Sequence, residues 1–291
     1  MRLELAGSLI QPDPLIIKFS ADVGSIPHQD FDTQKYIDMG YTHFDVICIG
    51  AGGGKGGGID TANTGTLVRN YGGAGGGGGF HRVRGLLSAL PSLALIVVGK
   101  AGIPGTNHVS NPALTTNGGD GGPSSFNDPA CRASGGKGGI RAQSNDFTTN
   151  PGANGGAGGV GNHTGAGGGA VGGTSGIPTP TGPGAPGTHG ADGTFSRDIG
   201  QGGGGGAGGV GKYGGGTTCV AATNGGRGSY NPADTSVYGP GDTPDNDPNS
   251  GSQNIVPGNA SGAKASPLNK LPSVYGQSGI DGAIIVRLTA E

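Results

Sequence analysis

Glycine stands in blocks too dense for an ordinary side-chain core to organise. Residues 50–58 read Gly-Ala-Gly-Gly-Gly-Lys-Gly-Gly-Gly, and further blocks lie at 72–79, 118–122, 135–139, 152–161, 165–173, 202–211, 214–216 and 225–228. The chain holds 71 glycines and 20 prolines among 291 residues. Without a strict period, a share near one third marks a disordered or low-complexity chain by default. Compact apolar runs between the blocks oppose that default. An ordered glycine loses about 0.5–1 kcal/mol more backbone freedom than alanine and has no side chain to bury. A net hydrogen bond contributes about 0.5–1.5 kcal/mol. A glycine block can therefore be ordered only where nearly every peptide group bonds to a neighbouring segment.

One backbone geometry supplies such bonds on all sides. The extended polyproline-II helix has three residues per turn and no internal hydrogen bonds. Its polyglycine form turns every N–H and C=O outward, and the missing Cβ permits close approach, as at a collagen axis. Residues 155–161 and 205–211 spell the same Gly-Gly-Ala-Gly-Gly-Val-Gly, which puts Ala157 with Val160, and Ala207 with Val210, on one edge each. Residues 202–206 carry no side chain at all, as a central helix requires. The Gly-X-Y run at 184–193 spans only three triplets, too few for a collagen triple helix.

Two ordinary regions bracket the glycine. Residues 44–49, 80–86, 93–98 and 283–288 are β-branched or alternating runs that predict strands pairing into one small sheet. Residues 1–40 have ordinary composition, with a short strand at Leu15 to Phe19, and read as a lead-in or docking segment ahead of a glycine-rich domain at 41–291. Residues 229–278 are a Pro/Asn/Asp/Ser-rich loop. No amphipathic helix is apparent, and each glycine disfavours one by about 0.8–1 kcal/mol relative to alanine. The expected fold class is mostly β and irregular, with almost no α-helix: a small β-sheet base closes a bundle of polyglycine-II helices at 50–228, joined by long loops.

Several function classes lose support on the same page. A net charge of −2, with 12% charged residues, gives no strong pull on nucleic acid or an anionic membrane. Lys55, Lys137, Lys212 and Arg227 stand singly in glycine runs and read as solubility devices. No stretch approaches the roughly 18–20 apolar residues of a membrane span. Glu4 interrupts the apolar start, so no signal peptide is expected, and the chain is read as made in a cytosol and carried out as part of something larger. Cys48, Cys131 and Cys219 match no zinc or redox spacing and read as small buried hydrophobes.

Three stretches imitate chemistry. Residues 44–54 look like the first strand and glycine turn of a dinucleotide-binding fold, and Gly52, Gly54 and Gly57 satisfy G-x-G-x-x-G. That fingerprint needs a helix after it, and residues 56–61 show no helical pattern. Lys55 lacks the Ser/Thr of a P-loop. Asp245, Asp247 and Asn249 alternate like calcium ligands, but Ser250 and Val256 occupy the positions of the loop's glycine and final glutamate. They are a weak candidate for Ca²⁺ beside a solvated turn. The six histidines are dispersed. No catalytic residue and no cofactor is expected.

The assembled pattern is an apolar strand, Gly-Ala-Gly-Gly-Gly, further glycine blocks, Val-Val-Gly-Lys-Ala-Gly at 97–102 and Gly-Ile-Asp-Gly-Ala-Ile-Ile-Val-Arg-Leu at 279–288. It resembles the glycine-rich domain of minor tail proteins and tail-fibre adhesins of bacteriophages, especially those infecting actinobacteria. The resemblance covers about residues 41–288, and its two ends are the specific parts. It implies a virion protein at the tail tip or on a fibre, partnered by other tail proteins, commonly threefold, with no enzyme activity. It also implies that loops between glycine helices, here 103–117, 123–134, 140–151, 176–201 and 229–274, meet a host envelope glycan or protein. Phe126, Phe147, Phe195, Tyr230 and Tyr238 lie in or beside those loops, and exposed aromatics suit stacking on sugar rings. The alternatives are a rigid tail spacer that touches no receptor and, more distantly, a cellular glycine-rich surface protein.

Overall fold

The computed structural model describes residues 12–20, 28–63, 66–70, 72–73, 75–106, 108, 112–141, 157, 195–196, 199–200, 210–213 and 281–290. Among them, strands predominate: β1 (Leu15–Ser20), β2 (His28–Asp32), β3 (His43–Ile49), β4 (Ile59–Asn63), β5 (Thr66–Asn70), β6 (Phe80–Leu86), β7 (Leu93–Val97), β8 (Ser124–Phe126), β9 (Cys131–Ala133), β10 (Phe195–Ser196), β11 (Ile199–Gly200), β12 (Val210–Tyr213) and β13 (Ala283–Thr289). Helix is confined to α1 (Thr33–Asp38) and two three-residue 3-10 turns. The Asp32 side chain caps α1 by accepting from the Lys35 N–H at 3.0 Å, satisfying one of the donors a helix start leaves open.

All strand pairs are antiparallel. The largest sheet runs β1-β13-β3-β6-β11-β10, a second runs β2-β7-β8-β9, and β12-β5-β4 form a third. β13 fills the slot between β1 and β3, with Leu15 opposite Leu288 and Ala283 opposite Ile49. The strand expected in the lead-in segment is thus the edge strand of the main sheet. The strands expected at 44–49, 80–86 and 283–288 lie side by side in that sheet. β7 does not join them, contrary to the expectation of one sheet. β6 pairs with β3 along its whole length and with β11 at Phe80 and His81. The chain turns through the 3-10 helix Leu87–Ala89 and crosses into a second layer, where β7 pairs with β2 and β8.

Alternation along each strand decides what lies between the layers. Phe44, Val46 and Cys48 of β3 and Ile284, Val286 and Leu288 of β13 share one core with Phe31, Ala94, Ile96, Phe126, Cys131 and Ala133 of the second sheet. The other face of the main sheet is divided. At one end Ile47, Ile49, Phe80, Ala283 and Ile285 form a second buried apolar cluster. Toward the other end Asp45 accepts from Arg82 Nε at 2.8 Å, pairs with the Arg82 Nη2 group, and has Arg84 Nε at 3.5 Å. Among the described residues no helix is long and apolar enough to cross a membrane.

Candidate functional site

The glycine blocks leave the apolar end of the main sheet. Residues 50–58 continue β3, and 72–79 lead into β6. The N–H groups of Gly50, Gly53 and Gly56 donate to the carbonyls of Gly79, Gly76 and Gly73 at 2.9 Å each. Those of Ala51, Gly54 and Gly57 donate to Gly122, Gly119 and Thr116 at 2.9–3.0 Å. The carbonyls of Gly52, Lys55 and Gly58 accept from Gly102, Gly105 and His108, and those of Ala51 and Gly54 accept from Gly136 and Gly139. Every step is three residues. The outer segments also bond to one another at the same step: Gly73, Gly76 and Gly79 donate to Ile140, Lys137 and Ser134.

Five segments, 50–58, 72–79, 99–108, 115–122 and 134–141, therefore make a three-dimensional array with 50–58 in the middle. A β-strand has two hydrogen-bonding edges, whereas the central segment meets four neighbours. Absent side chains make this possible. A Cβ added at Gly53 would come within 3.0 Å of the Lys137 carbonyl, and one at Gly54 within 3.0 Å of the Ile103 carbonyl. Ala51, Gly52, Gly53 and Gly54 are all buried, although none carries more than a methyl group.

Larger side chains are placed by the same period. Lys100, Ile103 and Thr106 are exposed along one segment, and Asn117, Asp120 and Pro123 along another. Asp120 Oδ1 accepts from the Gly138 N–H at 2.9 Å and Oδ2 from Lys137 Nζ at 2.7 Å. Asn117 Oδ1 accepts from the Arg141 N–H at 2.9 Å. Side chains three apart on one segment thus serve amides three apart on the next, where no further backbone carbonyl is supplied. Partial burial pushes the Asp120 carboxyl upward, but its bonds to Lys137 and Gly138 outweigh that and hold it below the ordinary carboxylate value. Lys55 is 2% exposed on the central segment, and burial draws its ammonium below the ordinary lysine value.

Of the expected contact residues, Phe126 is the one whose side chain is described. Phe126 is 1% exposed and packs edge-on to Phe31 at 5.4 Å between ring centres. It also lies 6.3 Å from the Phe44 ring. Its role is to join the two layers, which corrects the expectation of a receptor contact there. The reason is that 123–134 is a hairpin of the second sheet, β8 against β9, and not a free loop. Phe195 lies in β10, its backbone paired with Gly200. Phe147, Tyr230 and Tyr238 fall outside the described residues, as do Asp245, Asp247 and Asn249. Among the described residues no group of three or more His, Cys, Asp or Glu side chains could hold a metal ion. The segment after β3 that imitates a dinucleotide-binding turn is extended through 58 and opens no helix.

The sequence reading missed the exposed ridge of Asn117, Asp120, Lys137 and Arg141. Its signal is available in retrospect: polar residues at 117 and 120 and at 137 stand inside glycine blocks at the three-residue step.

An antiparallel two-layer base carrying a hydrogen-bonded glycine array defines a glycine-rich domain. A family model described as a glycine-rich domain matches residues 31–289. The chain belongs to that family. No curated protein matches it.

Proposed function

We propose that this protein is a structural component of a bacteriophage tail tip or fibre that contributes to attachment at the host cell surface. The observation that carries the reading is the period-three glycine array built on a two-layer sheet base. Further support comes from the resemblance of residues 41–288 to tail-protein glycine-rich domains. In this reading the five segments are polyglycine-II helices, because a three-residue step is that of the extended threefold helix. The protein works by binding and bracing, not by catalysis, beside other tail proteins and two further copies of itself. Phe147, Phe195, Tyr230 and Tyr238 are the candidate contacts to an envelope glycan or protein.

The experiment is immunogold labelling of purified virions with antibodies to this chain. Label at the tail end is expected. Label on the capsid, or absence of the protein from virions, overturns the proposal. A second reading, a rigid spacer without receptor contact, draws on the burial of Phe126, which takes the aromatic ring of one expected contact loop into the core. Exchanging residues 229–274 for those of a relative separates the two. Altered host range favours attachment, and unchanged host range with normal infectivity favours the spacer.

A further inference from the structure

Cys48 and Cys131 are 83 residues apart in sequence and come from different sheets, β3 and β9. Their side chains are 0% and 1% exposed, and both are free thiols. Cys48 Sγ donates to the Cys131 carbonyl at 3.6 Å. Cys131 Sγ donates to the carbonyl of His81 at 3.4 Å, and His81 is the cross-strand partner of Cys48 on β6. The neighbouring Arg132 N–H donates to His81 Nδ1 at 3.1 Å, which fixes β9 over this part of the main sheet. Two independent core cysteines would need none of this mutual placement.

We propose that Cys48 and Cys131 form a site for an intramolecular disulfide that staples the two sheets when the folded protein meets a peroxide. In the first step one thiolate attacks a peroxide oxygen, the O–O bond breaks, water leaves, and the sulfur becomes a sulfenic acid. In the second step the other thiol attacks that sulfur, the S–OH bond breaks, and a second water carries away the remaining proton. Two thiols are oxidised and one hydrogen peroxide is reduced to two waters. Burial makes the first step slow, because the thiolate is the reacting form and apolar surroundings disfavour it. The staple therefore forms slowly. This inference does not rest on the placement in a phage tail.

The test uses the full chain carrying Cys219→Ser, so that only this pair can react. The folded protein is held in hydrogen peroxide, quenched, alkylated in denaturant, and digested with trypsin. The expected product is a linked pair of peptides spanning 36–55 and 101–132, two hydrogens lighter than the sum of the reduced peptides. Both alkylatable thiols disappear together. The melting temperature rises by on the order of 10 °C and returns to its starting value with dithiothreitol. Adding Cys131→Ser must abolish the linked species and leave Cys48 oxidised alone or unreacted. No linked peptide in the Cys219→Ser protein overturns the proposal. So does a linked peptide that appears only with loss of cooperative melting.

Discussion

A single methyl group at Gly54 distinguishes this array from ordinary glycine-rich chain. Replacing glycine by alanine at a compatible backbone position usually stabilises by about 0.4–1 kcal/mol, because the unfolded chain loses freedom. At Gly54 the new Cβ would meet the Ile103 carbonyl and the Gly102 carbonyl, both backbone, and neither can swing aside without breaking bonds to a third segment. Gly54→Ala is expected to destabilise by about 3 kcal/mol or more, read as a fall in the urea midpoint. Gly119→Ala is the control. There the nearest atom is the Ile103 side chain at 3.0 Å, which can turn into solvent because Ile103 is 73% exposed, and the nearest backbone atom, Ile103 N, lies at 3.2 Å, whereas at Gly54 the Ile103 carbonyl falls within 3.0 Å. A cost under about 1 kcal/mol is expected. Equal effects at the two positions would mean that the array does not constrain the backbone as described.

Elements differ in how far their places could be read from residue order. The strands β3, β6 and β13 were legible because β-branched and alternating runs each abut glycine at one end, at Gly50, Gly79 and Gly282. The neighbours of β7 were not, since its partners β2 and β8 lie far from it in sequence on either side. The burial of Phe126 was hidden by length. Ser124–Phe126 is three residues among polar neighbours, and only its pairing with Ile96 and Cys131 carries the ring inward. For the array, period three was legible but the choice of neighbours was not, because glycine segments lack side chains that would specify them. Specification falls instead to edge residues such as Asp120. Its folded pKa is lowered, so its stabilising contribution is full above the ordinary carboxylate value and is lost as pH falls through the folded one. Asp120→Asn is expected to cost less than about 1 kcal/mol near neutral pH, given its exposure and solvent screening. The difference from the unsubstituted protein should begin to shrink below about pH 4 and vanish only once pH lies beneath the lowered folded value. Denaturant titrations at both pH values check this, and a difference that grows in acid would contradict it.

At the scale of the molecule, everything from 50 to 282 is inserted between two strands that are neighbours. Ile49 and Ala283 face each other, so the base cannot close until β13 is in place. Removing residues 281–291 is expected to abolish cooperative melting, since β1 and β3 lose their common partner and the shared core loses Ile284, Val286 and Leu288. Leu288→Ala, a graded version at a fully buried position, should cost about 2–5 kcal/mol. A truncated protein that still melts cooperatively near the original temperature would show that the glycine array and second layer stand without the base.

The registers also give the base two poles. β3 runs toward the array and β6 and β13 run away from it, with Phe80, Ala283 and Ile49 at that end. Leu15 and Leu288 lie side by side at the opposite end. Force applied between these two residues would load the β1–β13 ladder one rung at a time, as a zip fastener opens. Tension entering there is spent at the far pole of the base, and the glycine segments carry none of it until β1 has come away.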